Sequence, residues 1–350
     1  VSHLREEEKV DAVIVLTHQA LERDLATGAS NQTEHENQVY RLITQVPGID
    51  VVLMGHAHQK RPPQEVEGVV VCEPGPWGRD LCRVDLFFET DASGSIRLAR
   101  WSGDLLSTKD VEPDREVLES VKVYHEQTMG YIGSIIGEAV GPISADRARF
   151  RDTPIMDLLQ QMMLEKSGAQ LSLAALLPYS FDGIPAGPVT VQQIFSFYIY
   201  DNTLVVVELT GKQVKEILEH SARYYYRAGW DADRGRLILD INPEVRPYNF
   251  DILAGAHYRI DPSRPVGQRI RDLTYQGKPM DLDARFTLVT TNYRTAGGGG
   301  FPALKEAKVV WRSSEEVRNL LIDHIREQGR IRPFCDYNWI VAPDVSPSAR

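Results

Sequence analysis

Three histidines stand where short β-branched runs end: His18 closes DAVIVLTH, and His56 and His58 follow in GIDVVLMGHAH. In an extended or gently turned segment, residues two apart project to the same side, so His56 and His58 can converge on one point. Open α/β sheets gather functional groups beyond the carboxyl ends of their strands, where all three would sit. Neutral imidazoles ligate zinc, manganese and similar ions. The residue types leave two readings open, metal ligands or capped loop residues. A hydrolytic pair of ions also wants a bridging carboxylate, with the ions roughly 3.5–4 Å apart, and no evident carboxylate accompanies these histidines in the sequence. A second constellation is NYRTAGGGGFP at 292–302, four glycines behind a tyrosine and an arginine. Glycine allows close backbone approach and positive φ, and turns amide N–H groups toward an anion or hydroxyl; a glycine run also serves as a flexible loop.

The elements that must position these residues alternate. DAVIVLTH and GIDVVLMGHAH read as strands, and TEHENQVYRLITQV between them, closed by Pro47-Gly48, reads as a helix. GVVVCE and LCRVDLFFE flank the turn-rich PGPWGRD, and SIRLARWS adds a further strand. From 109 to 132 the spacing of Leu118, Val121 and Tyr124 or His125 predicts a connecting helix. Beyond it, TPIMDLLQQMMLEKSG and TVQQIF read as helices and QLSLAALL as a strand. TLVVVELTGKQVKEILEHSARYY reads as strand, Thr-Gly turn and helix, and FTLVTT as a strand feeding the glycine loop. The expectation is a mixed α/β chain divided into 1–108, a connecting helix at 109–132, and 133–350.

At 350 residues, 42% hydrophobic and 25% charged, the chain suffices for about two domains with full cores. A formal net charge of -10 without a dense Lys/Arg tract weighs against a nucleic-acid polymer or an anionic membrane as partner, while a local site can still hold a small anion. No apolar run approaches the roughly 18 residues of a bilayer span, and the first residues lack the basic head and apolar core of a signal peptide. Cys72, Cys82 and Cys335 form no metal knuckle or disulfide framework; Cys72 and Cys82 are expected as two buried thiols.

VIVLTH, ENQVYRLITQVPGIDVVLMGHAH and PGPWGRDLCRVDL resemble the second half of the metallophosphoesterase domain of the 5'-nucleotidase family. TLVVVELTG and NYRTAGGGG resemble its C-terminal nucleotide-binding domain. The resemblance implies part of an αββα sandwich followed by an α/β recognition domain, with His18, His56 and His58 as ligands to two divalent ions, zinc, manganese or similar. Family members carry an Asp-x-His, a Gly-Asp-x-x-Asp and a Gly-Asn-His-Asp/Glu segment upstream, and these are not found between Val1 and Arg350. The catalytic histidine is therefore expected upstream of Val1, in a missing N-terminal part of the same protein, and the isolated chain is expected to be a poor or inactive catalyst. Export to the periplasm or cell exterior is also implied.

The resemblance places Tyr293 and Tyr200 as two rings that stack on a nucleobase, with Asn202 meeting a base edge and Gly298 and Gly299 lying beside the sugar. A base between two aromatic faces gains roughly 1–3 kcal/mol per stack, and an amide offers both donor and acceptor; ordinary packing is the competing reading for both rings. Tyr179 and Phe181 are weaker aromatic candidates. Arg294 reads as a phosphate contact or a solvated side chain, and His220 and His257 as structural. In the 5'-nucleotidase branch an Asp stands where this chain has Gly299, and an arginine-bearing Gly-Gly-Ile-Arg is absent from SLAALLPYSFDGIPAGPVT. NYR-x-x-GGG, with YNFDILAGAHYRID and RPVGQRI, resembles instead the 2',3'-cyclic-nucleotide 2'-phosphodiesterase and 3'-nucleotidase branch. The implied partner is a small nucleotide. The rivals are a 5'-nucleotidase with altered sugar contacts and a nucleoside-binding fragment without chemistry.

Overall fold

The computed structural model describes residues 1–30, 37–92, 94–231 and 236–342. They fall into two compact units, Val1–Val121 and Lys122–Arg350, each of mixed α/β character. The helix Arg115–Ile132, inside the segment expected to connect the halves, runs across that division. Its apolar positions Leu118, Val121 and Tyr124 are all exposed.

In the first unit, β1 (Ile14–Leu16), β2 (Val51–Leu53), β3 (Lys60–Val66) and β4 (Val69–Pro74) form one sheet in the order β1-β2-β4-β3. β1, β2 and β4 run parallel, and β3 returns antiparallel to β4. The helix expected over 33–46 appears at Val39–Gln45, residues 33–36 lying outside the described residues. Its Val39 and Ile43 bury against Val52, Met54 and Val71, which is why those apolar spacings make a β-α-β crossover. β3 is not legible in the sequence because Pro62-Pro63 interrupt it. Proline is tolerated at a sheet edge, where β3 lies, and the register slips between Arg61 and Gln64. At the opposite edge β1 leaves Ile14 56% and Leu16 83% exposed. β5 (Asp80–Thr90) and β6 (Ile96–Ser107) pair as a long antiparallel hairpin.

The second unit is built on a five-stranded sheet of β7 (Leu171–Ala175), β8 (Thr203–Thr210), β9 (Asp251–Ala254), β10 (Arg285–Thr291) and β11 (Lys308–Glu316), ordered β9-β7-β10-β8-β11. β7 and β10 are parallel; the other neighbours are antiparallel. The helix Pro154–Ser167 starts with proline in its first turn, ends at Gly168 (φ 66), and buries Ile155, Met156, Leu159, Met162 and Met163. The Thr-Gly step after β8 is the start of helix Gly211–Ser221, where Thr210 and Gln213 form a reciprocal capping box. No helix among the described residues is long and apolar enough to cross a membrane.

Candidate functional site

Sheet direction decides which residues meet in the second unit. β10 ends at Thr291, which pairs with Leu204 at the start of β8, so Tyr293 just after one strand and Tyr200 just before the other reach the same edge. Asn292 accepts a hydrogen bond from the Thr203 N–H at 3.0 Å and locks the two ends together. β7 runs parallel to β10 and finishes at that edge. β9 runs antiparallel to β7, with Asp251 opposite Ala175, so Tyr248 arrives there as well. The result is a cavity of about 180 Å³ whose lining includes Tyr198, Tyr200, Asn202, Tyr248, Tyr293 and Arg294.

Tyr200 and Tyr293 remain 44% and 41% exposed, leaving ring surface available to a ligand. The Asn202 side-chain amide donates to the buried Tyr198 hydroxyl at 3.4 Å. Burial raises the Tyr198 phenol well above its ordinary value. Tyr248, not singled out from the sequence, is a further aromatic wall, and it stands edge-on to the exposed Tyr179 at 6.2 Å. Burial, reinforced by Tyr293, Tyr179 and Tyr200, pushes the Tyr248 phenol up to about 12. Tyr248 stands three positions ahead of strand β9, and nothing in the local sequence sets it apart. Phe181 instead stacks on core Phe197 at 5.3 Å.

Arg294 corrects the solvated reading, being only 3% exposed. Its Nε donates to Asp251 at 3.1 Å, Nη1 to Asn249 Oδ1 at 2.9 Å and the Gly298 carbonyl at 3.2 Å, and Nη2 to the Tyr248 carbonyl at 2.6 Å. Nη2 also lies 2.7 Å from the second Asp251 oxygen. With every nitrogen engaged inside the protein, the guanidinium is not presented to a phosphate. The glycines have a packing reason of their own: a Cβ at Gly298 would lie 2.4 Å from the Tyr293 ring, and one at Gly299 (φ +75) 2.5 Å from Arg294 Nη1. The Gly299 carbonyl meets His220 Nε2 at 2.8 Å, and burial lowers the His220 pKa. His220 is thus structural, whereas His257 is exposed on a strand.

In the first unit, His18 follows β1, and His56 and His58 follow β2, so the parallel pairing brings the loops to one sheet end. The His18 and His56 ring centres lie 5.2 Å apart, edge to face. Two imidazoles bound to one tetrahedral ion at about 2.0–2.1 Å would put their ring centres about 5 Å apart, so this pair fits as part of a donor set. His58 lies beside Trp77 instead, with ring centres 6.2 Å apart. His56 (φ 76) and His58 (φ 57) both adopt left-handed backbone, costing about 1–3 kcal/mol each at such bulky residues. Buried Glu73 of β4 accepts the Gln59 N–H at 3.3 Å beneath this loop, and its other oxygen is buried without a hydrogen-bond partner. Burial raises the Glu73 pKa.

Among the described residues, the donors that gather within 4.8 Å of one another are Asp152, Asp157 and Cys335, in the second unit. Asp152 accepts the N–H of Thr153 at 2.9 Å, and Asp157 that of Asp336 at 3.1 Å. Burial, then hydrogen bonding and repulsion from Asp336, pushes Asp152 up to about 6. Burial and the neighbouring Asp152 and Asp336 push Asp157 up to about 7. Cys72, Cys82 and Cys335 are free thiols. Cys72 is buried and Cys82 partly so, and burial raises both, Cys72 to about 12.

Fold and cavity together define a mixed α/β domain whose strand ends hold an aromatic pocket. The protein-family model of the 5'-nucleotidase C-terminal domain matches residues 131–306, and the chain belongs to that family. It is 31% identical to the trifunctional nucleotide phosphoesterase protein YfkN of Bacillus subtilis, over 96% of this chain and 26% of that protein. It is 30% identical to a 2',3'-cyclic-nucleotide 2'-phosphodiesterase/3'-nucleotidase of Haemophilus influenzae, over 95% of this chain and 58% of that one. A solved structure from Staphylococcus aureus assigned to the 5'-nucleotidases superposes with a TM-score of 0.81 at 25% identity, over 97% of this chain and 66% of that chain. The chain thus spans about a quarter to three fifths of the curated relatives' length.

Proposed function

We propose that this chain supplies the nucleoside pocket and part of the metal site of a phosphoesterase that opens 2',3'-cyclic nucleotides to 3'-nucleotides and then hydrolyses these to nucleoside and phosphate. The observation that carries the reading is the cavity where Tyr200, Asn202, Tyr248 and Tyr293 converge. Stacking on tyrosine faces holds a base with little selectivity, since every base has a π-face, and the Asn202 amide offers an edge contact. The sugar side favours the cyclic branch. A 2',3'-cyclic diester has both hydroxyls esterified, so an Asp at position 299 would lose its hydrogen bonds and confront an anion; this chain has Gly299.

His18, His56 and His58 are the residues that would hold divalent ions, with the remaining ligands and the catalytic histidine supplied by a preceding part of the same protein. When bound, such ions polarise the phosphoryl oxygen and lower the pKa of water. The exposed Ile14 and Leu16 on edge strand β1 support the presence of further sheet there. A periplasmic or extracellular location follows from the same family reading.

The test compares hydrolysis of 2',3'-cyclic AMP, 3'-AMP and 5'-AMP by the protein including its preceding part, with and without chelator. Preference for the first two, abolished by chelation, is expected. Preference for 5'-AMP makes it a 5'-nucleotidase, and chelator-resistant turnover removes the metals from the scheme. The chain 1–350 should bind adenosine and 3'-AMP with little or no turnover.

A further inference from the structure

The segments YNFD and NYR are 41 positions apart at Asp251 and Asn292, yet their side chains form one buried unit. Arg294 follows Tyr293 directly, and its guanidinium lies 5.0 Å from the centres of both the Tyr293 and the Phe301 rings. From there it reaches the Tyr248 carbonyl, the Asn249 side chain and the Gly298 carbonyl. Asp251, 3% exposed, holds it through Nε and Nη2. Tyr248 and Tyr293 both line the cavity.

We infer that Arg294, anchored by Asp251, is the positioning residue of the nucleoside pocket: it ties the Tyr248 segment and the glycine loop to the back of Tyr293 and so fixes the separation of two aromatic walls. This rests on the cavity being the nucleoside site. The planar fork of a guanidinium can satisfy acceptors on several segments at once; a lysine ammonium, a point donor on a flexible stem, cannot hold the same set in one plane. A buried ion pair is by itself weak evidence for stability. What distinguishes this one is that three of its acceptors belong to segments that shape the cavity. Tyr248 becomes an aromatic wall of the cavity by this route although no element of the sheet contains it.

The experiment measures binding of adenosine and 3'-AMP by calorimetry, with melting temperature, for the chain 1–350 and three variants. Arg294→Lys is expected to weaken binding on the order of ten- to hundred-fold, the equivalent of one displaced aromatic wall. Arg294→Met with Asp251→Leu removes both charges, and is expected to melt closer to the wild type than Arg294→Lys while binding stays weak. Asn249→Ala keeps the ion pair and cuts one tie, and should weaken binding several-fold. Wild-type affinity in the double variant, or in a folded Arg294→Lys, overturns the inference by reducing the pair to a structural element. If neither arginine variant folds, Asn249→Ala decides, and unchanged affinity there overturns it. A wild-type chain that binds neither ligand refutes the nucleoside reading itself and the inference with it.

Discussion

Gly298→Ala separates the position of the Tyr293 ring from the stability of the unit. The added Cβ would lie 2.4 Å from Tyr293 Cε2 and Cζ and 2.6 Å from Cδ2, where carbon atoms in contact stand about 3.5–4.0 Å apart. The ring must therefore move by about 1 Å or more. Gly298 is not among the positive-φ residues, so alanine adopts its backbone without left-handed strain. Overpacking a closed core costs about 1–3 kcal/mol, but Tyr293 is 41% exposed and can swing toward solvent, so the stability loss should sit at the low end. Binding has no such escape. A base stack is worth about 1–3 kcal/mol, which predicts adenosine affinity weakened about 5- to 150-fold. Calorimetric titration, paired with a melting curve, reads both quantities. Unchanged affinity in a folded Gly298→Ala protein would refute the placement of Tyr293 as a base-stacking wall.

Raising the pH through the Asp152 and Asp157 titrations should destabilise the second unit. Folded-state values of about 6 and 7 lie above the ordinary 3.8, so the folded protein holds protons that the unfolded chain releases. The stability they confer is complete below about pH 3.8 and lost as pH rises through 6 to 7. Asp157→Asn should flatten the melting-temperature profile, and a profile unchanged by it rejects the shift. His56→Ala and His58→Ala should each lower the metal retained by the full-length protein, as read by elemental analysis; undiminished metal in both contradicts their role as ligands. Thiol titration of the native chain at pH 7–8 should proceed slowly at Cys72, whose thiol is pushed up to about 12, and rapid modification there would show the strand to be open.

Periodicity and turn chemistry made the local elements legible. The spacing in TEHENQVYRLITQV announced a helix, and Thr210-Gly211 the turn ahead of another, because each depends on neighbours within one turn. Strand β3 was hidden by Pro62-Pro63, whose tolerance depends on edge position, a property of the sheet rather than of the segment. The exposed face of helix Arg115–Ile132 shows the converse, since periodicity there predicted the helix but not what covers it.

The candidate site divides in the same way. Residue chemistry singled out His18, His56 and His58, and family resemblance Tyr200 and Tyr293, because imidazole and phenol carry their capacities wherever they stand. Tyr248 and the buried environment of Arg294 came from tertiary structure alone. A guanidinium eight positions before Pro302 reads as solvated until Asp251 is brought against it by the antiparallel pairing of β9 with β7 and the parallel pairing of β7 with β10. Local sequence determined which groups this protein has to offer; strand direction, set by pairings between segments distant in the chain, decided which of them share a cavity and which neutralise one another inside the core.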